Sequence, residues 1–281
     1  MTGILYVCAT PIGNLDDVSF RLLQTLKMVD LIAAEDTRHS LQLLRHFSIP
    51  TKVVSYHQHS SRAQSDYLLA ELLAGKNIAL ISDAGTPGIS DPGEQIIAAC
   101  ILRAIKVVVV PGPMAGVAAL VLSGLPTGRF AFEGFLPRAE KERREALINL
   151  LTEERTMVFY EAPHRLRETV ADMARILGDR QCALARELTK VYEEVKRGTI
   201  HKLLQEVEAS PVRGECVLVV AGANKDAATL ANAEQDGEAM VAMFLAQGFS
   251  PAQASRHAAK MSMMPRPELY ALAMRLSKDK K

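Results

Sequence analysis

The chain has 281 residues, with 33 Lys and Arg against 32 Asp and Glu, a formal net charge of +1, 48% hydrophobic residues and 23% charged residues. That balance excludes a disordered or polyelectrolyte-like chain and gives no global pull towards nucleic acid, so any such binding must come from local patches. At ~100–200 residues per domain the length points to two domains with a short appendage, in a chain long enough to bury a full core without staples.

In chain order, residues 4–9 read as a buried strand, and residues 18–28, with Val18, Leu22, Leu23 and Leu26 near helical spacing, as a helix. Residues 31–34 form a second strand, and 40–47 and 64–74 read as helices. Strands at 78–81 and 106–110 enclose a helix at 94–104, and the valine run ending at Val110 reads as a fully buried parallel strand. Strands alternating with helices predict βαβ units and a parallel sheet covered on both faces. A small-residue helix at 115–122 opens a second α/β half, with strands at 129–132, 156–160, 182–185 and 216–220 and helices at 140–151 and 166–177. Gly178 stands where a helix C-cap glycine belongs. Beyond Asn224 an acidic stretch (Asp226, Glu234, Asp236, Glu238) gives way to a basic end (Arg256, Lys260, Arg266, Arg275, Lys278, Lys280, Lys281). Helices at 237–247 and 252–261 flank a Gly248–Pro251 turn, with Ser250 as N-cap and Pro251 at the first helical position, and a third helix follows Pro265 and Pro267. The pattern fits either a helix-turn-helix module or a small helical cap.

Cys8, Cys100, Cys182 and Cys216 are far apart and form no CxxC pair, so they read as reduced thiols of a cytoplasmic protein. The N-terminus carries no secretion signal, and no apolar run reaches the ~18 residues of a membrane span. No metal-ligand spacing is present, and His57 and His59 read as surface residues. Four first-half strands run into loops of unusual composition: Thr10 to Leu15, Glu35 to Arg38, residues 82–93 and Pro111 to Pro113. In a parallel sheet all four lie at one carboxyl edge, where open α/β sheets bind ligands. Residues 82–93 hold Gly85, Gly88 and Gly93 with Pro87 and Pro92, a composition that lets a polar small molecule approach the backbone. Gly13 and Glu35 sit where a dinucleotide site would need them, but the GxGxxG turn is absent, so the expected ligand carries ribose and adenine without a diphosphate. Asp36 serves equally as a helix cap or a chemical group.

The blocks Tyr6 to Leu15, Ala34 to Arg38, 82–93, Tyr160 to Arg165 and Arg186 to Lys190 together resemble the bacterial small-subunit ribosomal RNA (cytidine-2′-O)-methyltransferases of the tetrapyrrole-methylase superfamily, over roughly residues 1–222. The resemblance implies α/β domains at 1–113 and 114–224 with the cofactor cleft between them, and a linker and helical extension at 225–281. It implies S-adenosylmethionine as methyl donor with no metal, a cytidine ribose in the decoding region of 16S rRNA of the small ribosomal subunit as acceptor, and a cytoplasmic homodimer without membrane contact. By analogy the donor site comprises Pro11, Gly13, Asp83, Gly85, Thr86, Pro87, Gly88, Ile89, Pro111, Gly112, Tyr160, Glu161 and Arg186. Gly85-Thr86-Pro87 stands where the wider superfamily often has Gly-Asp-Pro, which favours the RNA branch over a tetrapyrrole substrate.

A ribose hydroxyl is a poor nucleophile, so a base or a cationic neighbour must assist it. Lys190 is the expected catalytic group, either as base or by lowering the hydroxyl pKa, with Glu187 orienting it and Asp36 as the alternative base. Arg38, Arg138, Arg143, Arg144, His164 and Arg165 are expected on the RNA, where phosphate contacts make binding salt-dependent.

Overall fold

The fold is taken from a computed structural model that describes residues 2–57, 62–223, 237–262 and 264–278. Asp226, Glu234 and Asp236 of the acidic stretch, His59, and the basic Lys280 and Lys281 lie outside the described residues.

The first half builds a parallel sheet from β1 (Ile4–Cys8), β2 (Leu31–Ala34), β3 (Val53–Ser55), β4 (Ile78–Ile81) and β5 (Lys106–Val110), in the order β3-β2-β4-β1-β5. The period of two along each strand divides the side chains between two cores. Leu5, Val7, Leu31, Leu80 and their neighbours pack under α3 (Arg62–Leu73) and α4 (Glu94–Leu102). Cys8, Ile32, Ala34 and Ile81 pack under α1 (Phe20–Met28) and α2 (Thr37–His46). Sheet order corrects one expectation: β5 is an edge strand, and Val109 is 55% exposed. A β-branched run does not distinguish a centre from an edge.

The second half has a mixed sheet, β6-β7-β10-β8-β9, built from β6 (Phe130–Phe135), β7 (Thr156–Glu161), β8 (Gln181–Arg186), β9 (Glu194–Thr199) and β10 (Cys216–Val220). Only the β6–β7 pair is parallel; β10 runs antiparallel between β7 and β8. One face, with Val158, Ala185, Val217 and Val219, packs on α5 (Ala115–Ser123). The other face is covered by α6 (Glu140–Asn149), α7 (Leu166–Leu177) and α8 (Ile200–Ala209).

The C-terminal helices α9 (Gly237–Ala246), α10 (Pro251–Met261) and α11 (Arg266–Lys278) join that same core. Met240, Val241, Phe244, Ala254, Ala258, Leu269 and Ala273 belong to one cluster with Leu147, Phe159 and Leu218. Ser250 caps α10 with a full capping box to Gln253 and Pro251 in the first turn, as the sequence indicated. Arg256 reaches back to Glu145 at 2.7 Å, and Arg275 pairs with Glu238 at 3.2 Å.

Candidate active site

The loops after β1, β2, β4 and β5 emerge at one rim of the first sheet, and hydrogen bonds tie them together. Thr10 and Gly85 exchange backbone hydrogen bonds of 2.9 and 3.1 Å. The Thr10 hydroxyl donates to the Ser82 carbonyl, and the Thr86 hydroxyl to the Pro113 carbonyl, each at 3.2 Å. Gly85 holds φ +77°, a conformation that glycine adopts without strain.

Ile12 leaves this rim and packs into the core of the second sheet with Leu120, Val158, Leu188 and Val217. On one side of it lies a cavity of about 330 Å³, lined by Thr86, Ile89, Asp91, Met114, Phe135, Tyr160, Glu161, Leu188 and Val217 among others. The Tyr160 hydroxyl accepts from Gly116 N–H at 3.1 Å, its ring meets Phe132 and Phe135 edge-on, and burial raises its pKa. On the other side lies a more polar cavity of about 500 Å³, lined by Pro11, Gly13, Leu15, His39, Ser40, Gln42, Leu43, His46, Asp83 and Lys190. Ile12, Ala84 and Glu215 line both.

The turn after β8 brings charged side chains to this junction. Lys190 Nζ donates to Glu187 Oε1 and Glu215 Oε2, each at 3.0 Å. The acids lock to each other as well: Glu215 N–H donates to Glu187 Oε1 at 2.9 Å, and Glu187 N–H to the Glu215 carbonyl at 3.0 Å. Burial acts to lower the Lys190 pKa, but its hydrogen bonds to Glu215 and Glu187 outweigh burial and leave it raised. Lys190 is thus held as a cation between two carboxylates. The Glu215 backbone N–H and the Lys190 ammonium hold the Glu187 carboxyl below its usual range. Glu187 and Thr189 sit at φ +51° and +67°, strained conformations of the kind that concentrate at functional sites.

Gly13 explains how close the two halves come. A Cβ there would lie 2.6 Å from Lys190 Cγ, 2.8 Å from Thr189 Oγ1 and 3.0 Å from the Leu188 carbonyl. Gly13→Ala is expected to push the Lys190 turn out of place and cut turnover about 10–100-fold, with a smaller effect on unfolding midpoint. Parallel kinetics and urea titrations check this.

Several sequence-nominated residues have other work. Asp36 caps α2: its carboxylate accepts from Arg38 N–H at 2.8 Å and pairs with the Arg38 side chain at 2.9 Å. Those bonds bring its pKa down to about 2, which makes it a poor base. Asp83 lines the second cavity rather than the first. Pro11 and Gly13 line that cavity too, while Pro87, Gly88, Pro111 and Gly112 line neither and shape the rim behind it. Gly112, for example, is where a Cβ would meet Ala9 Cβ at 2.9 Å. Glu161 lines the first cavity, but its oxygens already accept from Ala162 N–H and the Thr169 hydroxyl. Arg186 turns away to Glu194 at 2.6 Å and lines neither cavity. Arg143 is 3% exposed and binds Asp172 at 2.8 Å, with Arg144 on the same carboxylate at 2.7 Å. Arg165 donates to the Leu136 and Pro137 carbonyls. These three arginines are structural, whereas Arg38, Arg138 and His164 are exposed.

Sequence reasoning passed over Glu215, Met114, Phe135 and Asp91. Asp91 had a local signal, since it lies inside the 82–93 loop. Burial, reinforced by the nearby Glu35 charge, raises its pKa to about 7 from 3.8. The folded protein thus keeps a proton that the unfolded chain releases across that window, so ionising Asp91 removes stability as pH rises through it. Asp91→Asn is expected to raise the urea midpoint above wild type at about pH 8, with the difference shrinking towards about pH 4.

The first cavity combines apolar and aromatic walls with Asp91 and Glu215, a lining suited to a flat heterocycle joined to a cationic group. Among the described residues no cluster of His, Cys, Asp and Glu could hold a metal ion, and no helix is long and apolar enough to cross a membrane.

The sequence model described as Tetrapyrrole (Corrin/Porphyrin) Methylases matches residues 4–204. The chain is 47% identical over 278 residues to the ribosomal RNA small subunit methyltransferase I of Synechocystis sp., covering 99% of both chains. It is 50% identical over 220 residues to the protein of that name from Halalkalibacterium halodurans, covering 78% of this chain and 76% of the other. The crystal structure of uroporphyrin-III C-methyltransferase from Thermus thermophilus complexed with S-adenyl homocysteine shares the fold, with TM-score 0.54, 19% identity, and 78% of this chain and 97% of that chain covered.

Proposed function

The chain belongs to the tetrapyrrole methylase family, and from that premise we propose that it uses S-adenosylmethionine to methylate the ribose 2′-hydroxyl of a cytidine in the RNA of the small ribosomal subunit. The observation that carries this reading is the fixed Lys190 cation where the apolar first cavity meets the polar second one. Near-full-length likeness to the Synechocystis methyltransferase supports RNA as the acceptor.

When bound in the first cavity, the cofactor supplies an activated methyl group. Met114, Phe135, Tyr160 and Val217 would enclose its base, and Asp91 and Glu215 would face its positive charge. Lys190 would stabilise the negative charge that develops on the ribose oxygen as its proton passes to solvent water, and Glu187 and Glu215 hold the ammonium in place. Arg38, Arg138 and His164 are exposed and would be among the groups that meet phosphates. The decoding region of 16S rRNA is the proposed location of the target cytidine, and the cytoplasm that of the reaction.

The protein acts as a homodimer in this reading. Support comes from the apolar side chains exposed on α4, β5 and α5, among them Leu102 at 85%, Val121 at 67% and Val109 at 55%. Sedimentation equilibrium checks the dimer. The decisive test of function mixes the protein with methyl-labelled donor and either isolated small subunits or naked rRNA, then maps the modified nucleotide. Label on a cytidine sugar is the expected result; label on no RNA refutes the reading.

A further inference from the structure

We propose that the second cavity receives one extruded nucleoside and that Asp83 reads the exocyclic amino group of cytosine. This inference rests on the RNA-methylating reading above and adds how the base is recognised.

The geometry constrains how an acceptor reaches the donor cavity. The two cavities share only Ile12, Ala84 and Glu215, and Lys190 lines the second one. A ribose hydroxyl beside Lys190 therefore sits at the shared wall, with its base pointing into the remaining volume of about 500 Å³. A paired duplex is far too wide for that space. One nucleotide turned out of its stack fits, as in other enzymes that act on single nucleotides.

The lining suits a pyrimidine. Ile12, Leu15, Leu43 and Ile81 supply apolar walls, and a few polar groups stand among them. Asp83 and Glu215 are the acids of this cavity among the described residues. Glu215 is already engaged by Lys190. Asp83 Oδ1 accepts from Asp36 N–H at 3.1 Å, with His39 Nδ1 at 3.8 Å. Its second oxygen accepts no hydrogen bond among the described residues, and its side chain is 38% exposed. An ionised carboxylate only accepts, so it matches the amino group of cytosine and repels the carbonyl that uracil carries at the same position.

The test uses small-subunit RNA ligated to carry cytidine, uridine or the 2-pyrimidinone ribonucleoside, which lacks the amino group, at the nucleotide mapped with wild type. Dissociation constants without donor and kcat/KM with labelled donor are measured for wild type, Asp83→Ala and Asp83→Asn, and donor affinity is followed by calorimetry. Wild type is expected to favour cytidine over 2-pyrimidinone by about 5–150-fold. Asp83→Ala should erase that preference without further loss on the 2-pyrimidinone RNA. Asp83→Asn, which keeps an acceptor for Asp36 N–H, should shift preference towards uridine. Donor affinity should stay within about twofold. Equal affinity of wild type for all three RNAs overturns the inference even if the variants misfold, and so does undiminished discrimination in the variants. If wild type labels no ribose in any RNA, the underlying reading falls and this inference with it. Label on cytidine without discrimination removes the inference alone.

Discussion

Lys190→Met is expected to lower kcat by about 10²–10³-fold while leaving donor affinity within a few-fold of wild type. Glu187 and Glu215 both hold the ammonium, each at 3.0 Å, and its raised pKa keeps it charged. Methionine keeps much of the length but removes the charge, so the nascent oxyanion loses its stabilising partner. The two carboxylates then face each other, and Glu187 loses one cause of its lowered pKa. Lys190→Arg retains a cation and should recover part of the rate. Single-turnover rates with saturating donor separate chemistry from binding. Wild-type turnover in the methionine variant would remove Lys190 from the mechanism.

Asp172→Ala is expected to cost about 3–5 kcal/mol of folding stability, read from urea midpoints, because it leaves a buried guanidinium unpaired. Asp172 is 3% exposed and receives Nε–H bonds from both Arg143 and Arg144. Glu168 at 3.7 Å from Arg143 and Glu140 at 2.6 Å from Arg144 soften the loss without replacing the partner. Replacing Arg143 and Asp172 together by methionine should be far less damaging than either change alone. RNA affinity of that double variant should keep the wild-type salt slope, since Arg143 meets no solvent.

Apolar pattern carried the frame of the fold. It located β1, β2, β4, β10 and α7 to within a residue, because each is a continuous apolar run between two packed layers or a helical stripe turned to a core. It missed β3, which has only Val53, Val54 and Ser55, and β9, whose Glu194–Thr199 run is charged and partly exposed at a sheet edge. With β9 unread, α8 immediately after it was lost too. Strand order lies beyond local pattern, which is why the valines of β5 suggested a centre. The four convergent loops were legible from their glycines and prolines. Glu215 was not, because a lone acid before a strand gains meaning only when Lys190, 25 residues away, folds against it. Arg143 failed for the same reason: within its own charge run it looks solvated, and Asp172 lies 29 positions on.

The packing of α9–α11 against β7 and β10 bears on how the protein is made. The first sheet is closed once Val110 has been synthesised, so that half can reach its native state while the rest of the polypeptide is still being translated. The second half cannot, since Phe159 and Leu218 share their cluster with Leu269 and Ala273. Its oily surface stays open until nearly the whole message has been read, which makes the nascent second half the part most in need of a chaperone.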